Sequence, residues 1–146
     1  MPKMIKIKAT HLTNIALDYL VAQIEGESVR FDGEFIRYAP SQFSDESVYS
    51  PSTDPAIGYL IIEREKIQLR FINSPGHKLH GLCLAQGCQF RPTDTSVQWK
   101  PFGTFSVAAL DKGYLSGPTG LVAAMRYFVC MRLGDVVEIP ANLKGL

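Results

Sequence analysis

The chain has 146 residues, a formal net charge of +1, 46% hydrophobic and 20% charged residues, which is the length and balance of a single folded domain, 1-146, and not of a disordered tail. The near-neutral charge excludes a general duplex nucleic-acid binder, which needs a basic stripe to displace counterions. No apolar run approaches the about 20 residues that cross a bilayer, and the opening MPKMIKIKAT lacks the apolar stretch of a secretory signal.

Three cysteines form no disulfide framework, so the expectation is a cytoplasmic protein with reduced thiols. Residues 4–9, MIKIKA, alternate apolar and basic and predict a short half-exposed strand. Thr10 or Thr13 then offers an N-cap for a helix to about Ile24. Ile15, Leu17, Leu20, Val21 and Ile24 fall at helical spacing, with Gly26 as the stop. On that helix Asp18 reads as a surface carboxylate and Tyr19 as an amphipathic aromatic.

Residues 29–38 predict a hairpin around Asp32-Gly33. The stretch that follows, to Tyr59, is dense in Ser, Pro and Asp and is not regular throughout. Residues 59–64 (YLIIER) and 68–73 (QLRFIN) read as two strands with Glu65-Lys66 at their turn. A turn from Ser74, a strand at 79–85 and a second turn at Gln86-Gly87 come next. Residues 90–100 follow, and 103–110 (GTFSVAAL) reads as a further strand closed by Asp111-Lys112-Gly113. A helix over 118–133, with Met125, Phe128, Val129 and Leu133 as its buried stripe, and a strand over 136–139 complete the domain.

Several residue groups suggest chemistry. His77, His80, Cys83 and Cys88 have residue types that bind zinc, but Cys83 lies in an alternating apolar run and no common zinc module is reproduced, so no metal site is expected. No G-x-S-x-G elbow, phosphate loop or dinucleotide fingerprint is present. Glu63 and Glu65, on one face of a strand, read as a charged strand end before they read as an acid/base pair. The expectation is therefore a protein that is not an enzyme and has no cofactor.

Ser50 to Asp54, S-P-S-T-D, favours Asx and ST turns that cap the following element, or forms a polar loop that meets a ligand through Ser52, Thr53 and Asp54. Gly117-Pro118-Thr119 is a helix start where an anion is physically at home. Arg132 suits the helix C-terminus, and Arg126, mid-helix beside the apolar stripe, is the better ligand contact. Trp99, the only tryptophan, with Tyr49 and Tyr59, offers a surface for stacking on a base or ring.

Three stretches carry a family resemblance: IKATHLTNIALDYLVAQIEG, YSPSTDPAIGYLIIEREKIQL and GPTGLVAAMRYFVCMRLGDVVEIP. Together they resemble the phage NinX-like proteins, small proteins of phages and prophages. Members often carry a tryptophan after S-T-D and a proline after G-P-T, where this chain has Pro55 and Gly120. The resemblance implies a phage protein acting in the cytoplasm of a bacterial host cell. By its size, origin and layout it is similar to phage sponge proteins, including Thoeris anti-defence proteins, that hold cyclic ADP-ribose-like or cyclic nucleotide messengers without cleaving them.

The sequence therefore predicts an α+β domain: an antiparallel sheet of about five strands, with a long C-terminal helix and an N-terminal helix packed on it. The expected function is sequestration of a small nucleotide-derived immune signal by a homo-oligomer. Gly117, Thr119 and Arg126 would meet phosphates; Ser52, Thr53 and Asp54 ribose or base edges; and Trp99 or Tyr49 would stack. A protein-interaction module that inhibits a host or phage protein is the alternative, and hydrolysis of the same signals the third reading.

Overall fold

The computed structural model describes residues 3–87 and 114–144, and within them the fold is α+β. In chain order the elements are β1 (Met4–Lys8), α1 (Asn14–Glu25), β2 (Val29–Phe31), β3 (Ile36–Tyr38), β4 (Ser47–Val48), α2 (Pro55–Glu65), β5 (Ile67–Phe71), β6 (Cys83–Gly87), β7 (Leu115–Gly117), α3 (Gly120–Leu133) and β8 (Val136–Pro140). Among the described residues the strands form three small antiparallel sheets, β1-β8, β2-β3-β4 and β5-β6-β7, where one sheet of about five strands was expected. The predicted strand at 103–110, Trp99 and Cys88 lie outside the described residues.

α3 is the centre around which these parts are packed. It touches α1, α2, β5, β6, β7 and β8. Val122, Ala123, Ala124 and Met125, then Tyr127, Phe128, Val129 and Cys130, are all buried, so the helix is covered on nearly every side instead of along one stripe. Leu133, expected in that stripe, is instead 47% exposed, because the last turn emerges from the packing. Alanines at 16, 22, 123 and 124 are fully or almost fully buried and leave room for α1 and α3 to approach closely.

The ends of the chain close on one another through β1 and β8. Ile5 pairs with Ile139 and Ile7 with Val137 toward the core, while Lys6 stands opposite Glu138 on the outer face. α1 begins after Thr13 and ends at Gly26, which takes the left-handed conformation (φ 75°) as the stop signal required. The β2–β3 hairpin forms as expected. Asp32 fastens its loop by accepting the N–H groups of Glu34 and Phe35 at 2.8 and 2.7 Å.

Residues 59–64 are not a strand; they lie within α2. Asp54 caps that helix by accepting the Ala56 N–H at 2.9 Å, and Pro55 occupies the first turn, where its missing N–H costs nothing. Glu65-Lys66 is accordingly the end of a helix and not a hairpin turn, with Lys66 left-handed at φ 56°. Glu63 and Glu65 do not share a face, since residues two apart point to opposite sides of a helix. Gln86-Gly87 likewise continues β6 instead of turning, and 115–117, left unassigned from sequence, adds β7 beside it.

Two glycines set how closely these pieces meet. A Cβ at Gly58 would strike the Pro51 carbonyl oxygen and come within 2.7 Å of Leu121 Cδ2, so α2 rests directly on the preceding turn and on α3. A Cβ at Gly117 would lie 2.6 Å from the Ala123 nitrogen, where β7 passes under the first turn of α3. Gly58→Ala is therefore expected to destabilise the fold by about 1–3 kcal/mol through overpacking, read as a lower urea midpoint. An unchanged midpoint would show that the three segments are not in contact.

Candidate functional site

The turn at residues 50–54 is closed by its own backbone: the Thr53 and Asp54 N–H groups donate to the Ser50 carbonyl at 3.0 and 2.7 Å. It is held to the body of the molecule by a buried carboxylate. The Ser52 N–H donates to Asp18 Oδ1 at 2.9 Å, with Asp18 2% and Ser52 1% exposed. The surface position expected for Asp18 is thus corrected. Asp18 lies on α1 between the buried positions Leu17 and Val21, one turn after Asn14 and on the same face.

Two clefts flank this turn and share Asn14 and Thr53. The larger, about 410 Å³, lies between the start of α1, the β2–β3 loop and the chain from Val48 to Ser50. Asp18 and Tyr49 line it, together with Glu34 and Phe35. The second, about 310 Å³, is bounded by Ser52 and Thr53 on one side and by Pro118, Thr119, Leu121 and Val122 on the other. The polar turn and the start of α3 therefore do face one another.

The expected site residues separate into distinct places. Ser52, Thr53 and Thr119 line the second cleft, where Thr119 also caps α3 by accepting the Val122 N–H at 3.1 Å. Tyr49 lines the larger cleft and packs edge-on against Tyr38, ring centroids 4.8 Å apart. Asp54 lines neither of these clefts and serves as the cap of α2. Gly117 is buried in β7, its lack of a side chain required by α3. Trp99 lies outside the described residues.

Arg126 also lines neither cleft. Its Nε donates to the Leu12 carbonyl at 2.8 Å and its Nη1 to the Ser116 carbonyl at 2.9 Å. These carbonyls lie two residues before Asn14 and two before Pro118, so Arg126 ties together the segments that lead into both walls of the second cleft. Arg126→Met should lower stability by roughly 3 kcal/mol, leaving two carbonyls without their donor. Arg126→Lys should recover only part, because an ammonium lacks the planar fork. Chemical denaturation of both variants checks this; full recovery by lysine would exclude the two-point brace.

The histidines have local work. His77 Nδ1 accepts the Leu79 N–H and His80 Nδ1 the Ser74 N–H, each at 3.0 Å, fastening the turns before β6. Cys83 and Cys130 are buried, and burial pushes the Cys130 thiol up to about 11, the behaviour of an inert packing residue. Among the described residues no group of three or more His, Cys, Asp or Glu side chains is placed to hold a metal ion.

Burial is also the main influence on Asp18. Desolvation raises its carboxyl from the usual 3.8 to about 7, against the opposing pull of the Ser52 backbone and hydroxyl. Between those values the folded protein keeps a proton that the unfolded chain releases. Stability consequently falls as pH rises through that window and remains reduced above it. The full effect is on the order of a few kcal/mol. Asp18→Asn preserves an acceptor for Ser52 and removes the charge. Thermal unfolding of both proteins at about pH 5 and about pH 8 should show the wild type losing more ground to the variant at the higher pH, since only part of the loss has occurred at pH 5; a constant difference would contradict this.

No helix among the described residues is long and apolar enough to cross a membrane. No curated protein matches the chain. The family model described as bacteriophage P22 NinX matches residues 8–80, a span that contains every residue lining the larger cleft and the whole of the 50–54 turn. The chain belongs to this NinX family of phage proteins.

Proposed function

We propose that the protein is a non-enzymatic binder that sequesters a small nucleotide-derived signal, of the cyclic ADP-ribose-like or cyclic nucleotide class, in the clefts around residues 50–54. The observation that carries this reading is the placement of the 50–54 turn between two adjoining clefts of about 410 and 310 Å³, sizes within the usual range of small-molecule sites. The second cleft suits the phosphates: it has no charged lining residue to repel them, and it opens on the N-terminal turn of α3. The larger cleft, with Tyr49 and Phe35 on its walls, suits the base and ribose. A homo-oligomer would deepen these clefts by closing them with a second copy. Acting against host defence belongs to the same proposal.

Isothermal titration against a panel of cyclic nucleotides and ADP-ribose derivatives tests it. The expected result is micromolar or tighter binding of at least one, with the ligand recovered intact after the protein is denatured. No binding tighter than millimolar to any of them would overturn the reading, and recovery of a cleaved ligand would place the protein among hydrolases.

A second reading, a module that binds a host or phage protein, has support of its own. Tyr59 and Leu60 are adjacent on the outer side of α2 and are 58% and 66% exposed. Under that reading Tyr59→Ala with Leu60→Ala abolishes activity in the host, whereas the ligand reading leaves activity intact in that double variant.

A further inference from the structure

We propose that the larger cleft recognises a planar group carrying two adjacent N–H donors, with the Asp18 carboxylate as the acceptor. The Watson–Crick edge of guanine has this chemistry, as does an amidinium or guanidinium. The guanine case rests on the nucleotide reading above; the amidinium case does not.

Charge supports this choice. The charged residues lining the larger cleft are Asp18 and Glu34, both acidic, with no Lys, Arg or His among the lining side chains. Such a cleft disfavours phosphate and favours a donor or a cation. Asp18 is 2% exposed and yet lines the cavity, and among the described residues no cationic side chain pairs with it. Its protein partner is Ser52, through the backbone N–H at Oδ1 and the nearby hydroxyl. Ser52 meets Asp18 at Oδ1, and a carboxylate has about four lone-pair sites, so a donor in the cleft finds further acceptor positions on the same side chain.

Shape supports it as well. Ile15, Phe35, Ile36, Val48 and Tyr49 give the cleft apolar walls, which suit a flat ring system whose polar edge points at Asp18. Guanine offers N1–H and the exocyclic amine side by side, the pair that a carboxylate accepts in two parallel bonds. Adenine offers an amine beside a lone pair, which leaves one carboxylate oxygen facing another acceptor. Two such bonds correspond to about 10- to 100-fold discrimination.

Calorimetry with the wild-type full chain at about pH 8, where Asp18 is ionised, tests the inference, using guanosine, inosine and adenosine monophosphates and, separately, benzamidine. Guanosine should bind at least about tenfold more tightly than adenosine, with inosine, which lacks the exocyclic amine, between them. Asp18→Asn should erase the order. This ranking in the wild type stands even where the variant fails to fold. Equal affinity for all three nucleotides would overturn the inference and leave the nucleotide reading standing. Benzamidine binding alone would uphold the donor-pair site and exclude its guanine case, and binding by none of the four would overturn the inference, while the nucleotide reading stands or falls on the cyclic-nucleotide panel.

Discussion

One buried hydrogen bond, from the Ser52 N–H to Asp18 Oδ1, decides where the 50–54 turn lies. A carboxylate withdrawn from water must be compensated, and here the compensation comes from a segment 34 residues away in sequence. Once the turn is fixed, Asp54 is placed to cap α2, and Gly58 comes against Pro51. The same anchoring leaves Asn14 and Thr53 as a ridge with a cleft on either side. The position of Asp18 is therefore both a structural cost and the origin of the site's geometry.

The rest of the fold supplies a rigid background. α3, buried on nearly all sides, is braced by Arg126 to the segments before α1 and before Pro118. The helix ends meet in a chain of ion pairs: Arg64 with Glu25 and Glu65, and Arg132 with Glu65. Arg64 and Arg132 also lie 5.8 and 5.1 Å from the centre of the Phe128 ring. These pairs are partly exposed, so they align the helix ends more than they stabilise the fold. The burial around α3 carries that burden.

What the sequence revealed follows from the range of the signal. Alternation in β1, the helical spacing and Gly26 stop of α1, the Asp32-Gly33 turn and the order of α3 and β8 are local, and all appear in the structure. The segment YLIIER was misread because a short apolar run fits either a strand or a helix. The Asp54-Pro55 start was the signal that separates them. Asp18 was harder, since its burial depends on Ser52 far along the chain; its place beside Leu17 and Val21, four residues after Asn14, was the available clue. The division into three sheets depends on non-local pairing and had no local signature. The two walls of the second cleft were legible as a polar turn and a helix start, whereas the use of Arg126 as a brace emerged only from the packing.

We propose that the turn pinned by Asp18 is where this NinX-family protein meets its ligand. A titration of the isotopically labelled protein with a guanine nucleotide, followed by amide chemical shifts, tests this most directly. The expected shifts are concentrated at Asn14, Asp18, Ser52, Thr53 and Thr119, which line the two clefts. Shifts confined to the outer side of α2, around Tyr59 and Leu60, or no shifts at all, would contradict it.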